Sequence, residues 1–105
     1  MPKCLENAKV LMAFCDETRL KVLELLRSGE KCAGMLREQL SVGQSTLSHH
    51  MKVLVESGLV SARKAGKWTY YSICEGGGQY AVDLLKRLTA AATGEASEAK
   101  CQPEN

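Results

Sequence analysis

Two segments with helical spacing of their apolar residues, joined by the short turn Ser41-Val42-Gly43 and followed at once by a segment of strand character, constrain this chain more than any other feature. Before the turn, Cys32, Met35, Leu36 and Leu40 fall at i, i+3, i+4 and i+8, one face of a helix starting near Lys31. After it, Leu47, Met51 and Leu54 form the buried stripe of a helix over residues 44–57, with Gly43 as N-cap and Gly58 closing it. Two helices joined by a three-residue turn containing glycine form a helix-turn-helix. The period then shortens. Residues 59–64 and 67–73 are rich in Val, Trp, Thr, Tyr and Ile, and Ala65-Gly66 supplies a two-residue turn, which predicts a β-hairpin.

The flanks read as helices. Residues 3–13 carry an apolar stripe of Leu5, Ala8 and Met12. Asp16 N-caps a helix over residues 17–27, whose face of Leu20, Leu23 and Leu26 is widened by Val22 and Leu25 and ended by Gly29. Gly76-Gly77-Gly78 breaks the chain after the hairpin, and a last helix over residues 79–92 shows Tyr80, Leu84, Leu85 and Leu88 on one side. From residue 93 onward Gly, Ser, Glu and Ala predominate, as in a frayed tail. The expected fold is mainly α with a small β-hairpin, a winged helix-turn-helix occupying residues 1–92, with a flexible C-terminal tail over residues 93–105.

A length of 105 residues fits one domain, and 45% apolar with 25% charged residues is ordinary for a soluble protein. Lys3, Glu6 and Lys9 interrupt the apolar residues of the N-terminus, so neither a signal peptide nor a membrane span is expected, which points to the cytoplasm. The net charge of +2 is unevenly spread: residues 44–71 carry +3, and the chain from Glu75 onward carries −2. A basic segment centred on a helix-turn-helix is the electrostatic footprint of an anion-binding surface. No Ser-His-Asp set, paired carboxylates or phosphate-cradling glycine loop argues for an enzyme.

Removing the buried stripe from the second helix of the motif leaves Gln44, Ser45, Thr46, Ser48, His49 and Lys52 to face outward. Gln, Ser and His hydrogen-bond base edges or phosphates in the major groove, whereas Lys52 suits a phosphate. Arg63, Lys64 and Lys67 on the hairpin are placed to hold the neighbouring backbone or minor groove of double-stranded DNA. His50, one turn from Leu47 and Leu54, reads as a hydrogen-bonded residue at the core edge, and His49 as the exposed one.

The runs Asp16-Glu-Thr-Arg-Leu-Lys-Val-Leu-Glu-Leu-Leu26, Gln44-Ser-Thr-Leu-Ser-His-His-Met-Lys-Val-Leu54 and Glu56-Ser-Gly-Leu-Val60, with the hairpin Arg63-Lys-Ala-Gly-Lys-Trp-Thr-Tyr-Tyr-Ser-Ile73, resemble the ArsR/SmtB family over roughly residues 5–90. The resemblance implies a homodimer through the first and last helices. It also implies repression at an imperfect inverted repeat, relieved when an inducer binds.

It further directs attention to the thiols. A zinc-type site on the last helix uses His and carboxylates, and no His follows His50, so that site is expected to be absent. The arsenic-type site resembles Glu-Leu-Cys-Val-Cys-Asp-Leu. Here the run is Glu30-Lys-Cys-Ala-Gly-Met-Leu36, with Cys32 at the first cysteine and Gly34 in place of the second. Cys32, beside Lys31 and near a helix start, is the first candidate ligand, and Cys15, in a Cys-Asp-Glu context, is the second. Cys74, Cys4 and Cys101 are weaker candidates. No two cysteines are close in sequence, so a three-thiolate site has to be assembled by the fold or across the dimer. No cofactor is obligatory. The expected inducer is arsenite or antimonite bound by thiolates, the alternatives being a soft divalent metal such as cadmium or lead, or an oxidant or persulfide acting on two cysteines.

Overall fold

The computed structural model describes residues 6–91. In chain order these form α1 (Asn7–Ala13), α2 (Glu17–Leu26), β1 (Lys31–Cys32), α3 (Ala33–Leu40), α4 (Gln44–Glu56), β2 (Val60–Ala65), β3 (Trp68–Ile73) and α5 (Glu75–Thr89). The expected winged helix-turn-helix is present, α3 and α4 being its two helices and β2–β3 its wing. The expected boundary between residues 92 and 93, and the tail beyond it, lie outside the described residues.

Helix starts and stops follow local chemistry. The Asp16 carboxylate accepts from the backbone N–H of Thr18 at 2.8 Å and of Arg19 at 3.2 Å, satisfying two donors that the first turn of α2 leaves free. α3 ends at Ser41 in the left-handed region, φ 56°, which turns the chain into α4. α4 ends at fully buried Ser57, whose hydroxyl donates to Leu54 O at 2.7 Å and accepts from Leu59 N at 3.2 Å. That pair of bonds fixes the exit toward the wing.

One core joins the layers. Val10 and Ala13 from α1, Val22 and Leu26 from α2, Leu36 from α3, Leu47, Met51 and Leu54 from α4, and Ala81 and Leu84 from α5 are buried together with Leu59 and Val60. The stripe expected on α4 is therefore the one buried. On α1 the expectation fails: Ala8 and Met12 are exposed, Val10 and Ala13 face inward instead, and Leu5 lies outside the described residues. On α2, Val22 takes the place expected of Leu20, which lies at the surface, and on α5, Leu85 and Leu88 point outward.

Three boundaries differ from the sequence expectation, the first because of a partner distant in sequence. Lys31 and Cys32 do not begin a helix. They form an antiparallel edge strand against Tyr71 and Tyr70, giving a sheet of order β1-β3-β2. The hairpin loop is Gly66-Lys67 rather than Ala65-Gly66, since Ala65 pairs with Trp68, and Gly66 takes the positive φ of 68° that a tight hairpin loop requires. α5 begins at Glu75, so the three glycines form its first turn instead of breaking the chain.

The first turn of α5 needs glycine at residue 77. A Cβ there would lie 1.8 Å from the carbonyl oxygen of Gly58, itself at φ 89° after α4. Backbone thus packs directly on backbone, and the N–H of Cys74 donates to Leu59 O at 2.8 Å alongside it. Gly76 and Gly78 face open space. Gly77→Ala should therefore destabilise by about 1–3 kcal/mol or more through overpacking, while Gly76→Ala and Gly78→Ala should each stabilise by roughly 0.5–1 kcal/mol. Urea unfolding of the three variants measures this, and similar changes in all three would contradict the assigned contact.

Candidate nucleic-acid interface

The buried stripe of α4 dictates what the helix shows to solvent. With Leu47, Met51 and Leu54 in the core, Gln44, Ser45, Thr46, Ser48, His49 and Lys52 are all exposed, and residues 44–49 contain no carboxylate. Lys52 lies 3.7 Å from Glu56 one turn on. All six are exposed, as expected, and Gln44 and Ser48 line a cleft with residues of the wing.

His50 is held at the core edge. Its Nδ1 lies 2.9 Å from Arg19 Nη1, and since a guanidinium only donates, Nδ1 accepts and the ring proton sits on Nε2, 3.7 Å from Asp16 Oδ2. Arg19 is itself buried at 7% exposure, donating through Nε to Ala13 O at 3.2 Å and through Nη2 to Met12 O at 3.1 Å. One side chain therefore ties the end of α1 and the start of α2 to the middle of α4. The sequence reading missed it, because an arginine in the first turn of an amphipathic helix has the same appearance as a solvated one.

The wing cations divide in two. Arg63 donates to both oxygens of Glu30, at 3.1 and 2.8 Å, and lies 4.7 Å over the Tyr70 ring. Lys64 and Lys67 are exposed and have no carboxylate partner among the described residues, and the corrected loop places Lys67 at the very tip. Arg63 is thus committed to bracing the wing against the segment before β1, and the two lysines are the free charges.

A cleft of about 230 Å³, lined by polar and apolar groups alike, opens where α3, the start of α4 and the wing meet. Gln44 and Ser48 line it from α4, Lys67 and Trp68 from the wing, and Arg37 from α3. Sequence reasoning passed over Arg37 and Trp68. The solvent-facing position of Arg37 relative to Leu36 and Leu40 was the available signal for the first, and the place of Trp68 beside a hairpin loop for the second.

The thiols are dispersed. Cys32 is half-buried and stands as N-cap of α3, without a side-chain cap bond. Cys15 is exposed after α1, its sulfur 3.4 Å from Leu11 O, and half-buried Cys74 is N-cap of α5. Cys4 and Cys101 lie outside the described residues. Among the described residues no three His, Cys, Asp or Glu side chains come together as a metal site. Also among them, no helix is long and apolar enough to cross a membrane.

A helix-turn-helix whose second helix turns a carboxylate-free polar face outward, beside a hairpin with free lysines, defines a winged-helix DNA-binding protein. Residues 16–62 match the family described as "Bacterial regulatory protein, arsR family". An HTH-type transcriptional regulator of Methanocaldococcus jannaschii, described as uncharacterized, is 36% identical over 89 residues, which are 84% of this chain and 100% of that protein. The arsenical resistance operon repressor of Staphylococcus aureus is 44% identical over 68 residues, 65% of this chain and 65% of the repressor. The crystal structure of a possible transcriptional regulator for arsenical resistance superposes with a TM-score of 0.68 at 33% identity, covering 82% of this chain and 98% of that one. The chain belongs to the arsR family: it is a DNA-binding transcriptional repressor and not an enzyme.

The two braces of this surface have a pH signature. Partial burial pushes the Asp16 carboxyl up, but the N–H groups of Arg19 and Thr18, with the nearby His50 ring and the charge of Arg19, outweigh it and hold the group below its ordinary value. The hydrogen bonds from Arg63 hold Glu30 below its ordinary value against a smaller effect of burial. Both folded-state values are depressed, so the stabilisation is complete above the ordinary carboxylate range and is lost as pH falls through the lowered values. Acid titration of unfolding in the Asp16→Asn, Glu30→Gln double variant should show a flatter loss of stability below that range than wild type. An unchanged acid limb would remove these two carboxylates as its source.

Proposed function

We propose that this repressor acts as a homodimer on an imperfect inverted repeat of double-stranded DNA, in the cytoplasm, and is released when cysteine thiolates bind a trivalent metalloid, arsenite or antimonite. The observation that carries the proposal is the place of Cys32. It joins β1, which pairs with the wing strand β3, to α3, the first helix of the helix-turn-helix. A group bound to its sulfur therefore acts on both DNA-facing elements at once. The names of the staphylococcal repressor and of the solved structure, both concerned with arsenical resistance, support the same inducer class.

The proposed DNA contacts are Gln44, Ser45, Thr46, Ser48 and His49 toward base edges or phosphates, and Lys52, Lys64 and Lys67 toward phosphates, with Arg63 in reserve behind Glu30. Dimerisation through α1 and α5 is supported by the apolar side chains these helices leave in solvent: Met12 at 58% exposure, Val82 at 47%, Leu85 at 46% and Leu88 at 56%. The described residues of one chain supply no three-thiolate set, so the proposed site combines Cys32 with thiols from Cys15, Cys74, Cys4 or Cys101, within a chain or across the dimer.

Two experiments test these readings. Titration of the DNA complex with arsenite, antimonite, cadmium, zinc and a persulfide donor should show release by the trivalent metalloids. Cys32→Ser should lose that release and keep its DNA binding, and an undiminished arsenite response in the variant would sink the assignment. Release by the persulfide donor alone, with an intramolecular disulfide in the mass spectrum, would replace the metalloid reading with thiol-redox sensing. On the DNA side, His49→Ala should weaken operator binding more than binding to random duplex, and equal losses would mean that it touches phosphate only.

A further inference from the structure

The cleft between α3, α4 and the wing holds an arrangement that the reading of α4 and the wing does not account for. Arg37 lines it from α3 and Lys67 from the loop of the wing, together with Gln44 and Ser48 from α4. The other arginines near the DNA-facing elements are spoken for: Arg19 by Ala13 O, Met12 O and His50, and Arg63 by Glu30. Arg37 is exposed and, among the described residues, has neither a carboxylate within 4.0 Å nor a side-chain hydrogen bond, although Glu38 is its neighbour on α3. Lys67 is equally free. Two cations without an anionic partner among the described residues thus line one small cleft, where a single anion would be attracted by both.

We infer that Arg37 is a further DNA-contacting residue, and that with Lys67 it clasps one backbone phosphate in this cleft. The inference rests on the DNA-binding reading above and extends it to α3. The chemistry is well matched. A guanidinium offers a planar fork to two phosphate oxygens, an ammonium adds a point charge, and the Gln44 amide and Ser48 hydroxyl add neutral donors. Three separate elements contribute to one phosphate, so the clasp fixes the spacing of α3, α4 and the wing on the duplex rather than selecting a base. Trp68 lines the same cleft at 55% exposure and is the single tryptophan of the chain. Its emission therefore reports occupancy of the cleft directly.

A random-sequence 30-base-pair duplex is the probe, because phosphate contacts do not depend on sequence. Binding is followed by Trp68 fluorescence and by duplex anisotropy across a salt series. Arg37→Gln should weaken binding roughly tenfold, the size of one charge-assisted contact, and lower the slope of log affinity against log salt by about 0.9. Arg37→Lys should restore most of the slope. Combined with Lys67→Gln, the Arg37→Gln loss should be less than multiplicative, since both groups hold the same phosphate, whereas combined with Lys64→Gln it should be multiplicative. An Arg37→Gln protein that matches wild type in affinity and slope, while Lys64→Gln does not, overturns the clasp and leaves the DNA-binding reading standing. A wild-type protein with no salt-dependent duplex binding overturns both. Inorganic phosphate that shifts Trp68 emission in an Arg37-dependent way, with duplex binding untouched by Arg37→Gln, would assign the cleft to a free anion and also overturn the clasp.

Discussion

The buried guanidinium of Arg19 is the interaction on which the DNA-facing surface depends. A charged group with 7% exposure is tolerable only if its donors are met, and here two backbone carbonyls at the end of α1 and a ring nitrogen of α4 meet them. The carbonyl of Ala13 is among those that a helix end leaves without an internal partner, and that of Met12 accepts from Arg19 as well as from Cys15 N. Arg19 therefore solves two problems together: it closes α1, and it orients His50 on the inner side of α4. The opposite side of α4, which carries Gln44 to His49, is set by the same constraint, because a helix cannot turn one face without turning the other.

Around that anchor the surface combines held and free charges. Arg63 and Glu30 form a bidentate pair across the sheet, with the Tyr70 ring beneath the guanidinium, which gives the wing a defined angle to the segment carrying Cys32. Lys64 and Lys67 keep full freedom. Such a division suits a repressor: the paired arginine contributes geometry, and the unpaired lysines contribute a long-range attraction that falls as salt rises.

Much of this was legible beforehand, for physical reasons that can be named. The α4 stripe, the Asp16 cap, the glycine turn and the hairpin are local devices, each encoded within a few residues, and they were found where periodicity and capping put them, the hairpin with its loop one residue later. The failures share an opposite character. Lys31 and Cys32 form a strand only because Tyr70 and Tyr71 pass beside them, and the first turn of α5 needs glycine at residue 77 only because Gly58 comes close enough to exclude a side chain. Met12, Leu85 and Leu88 read as core from their spacing yet stand in solvent in a single chain. Arg19 gave no signal at all, since burial of a charge is decided by the elements that close over it. The proposed DNA contacts of α4 were readable because their order along one helix is local. Arg37 gave only the weak signal of lying off the Leu36–Leu40 stripe, and its place opposite the wing comes from the fold.

The contact between Gly58 and Gly77 has a geometric meaning beyond packing. It is a joint without side chains, at the point where the DNA-reading helix ends and the last helix begins. Side chains can repack to absorb a tilt, but two touching backbones cannot, so α5 and α4 keep a fixed angle about this point. In a two-fold assembly built on α5, that angle converts the pose of one long helix against its twin into the distance between the two reading helices. Half-sites one turn of the duplex apart, about 34–36 Å, demand one value of that distance. A change of a few degrees where the subunits meet would be carried through the joint as a change of register on the DNA.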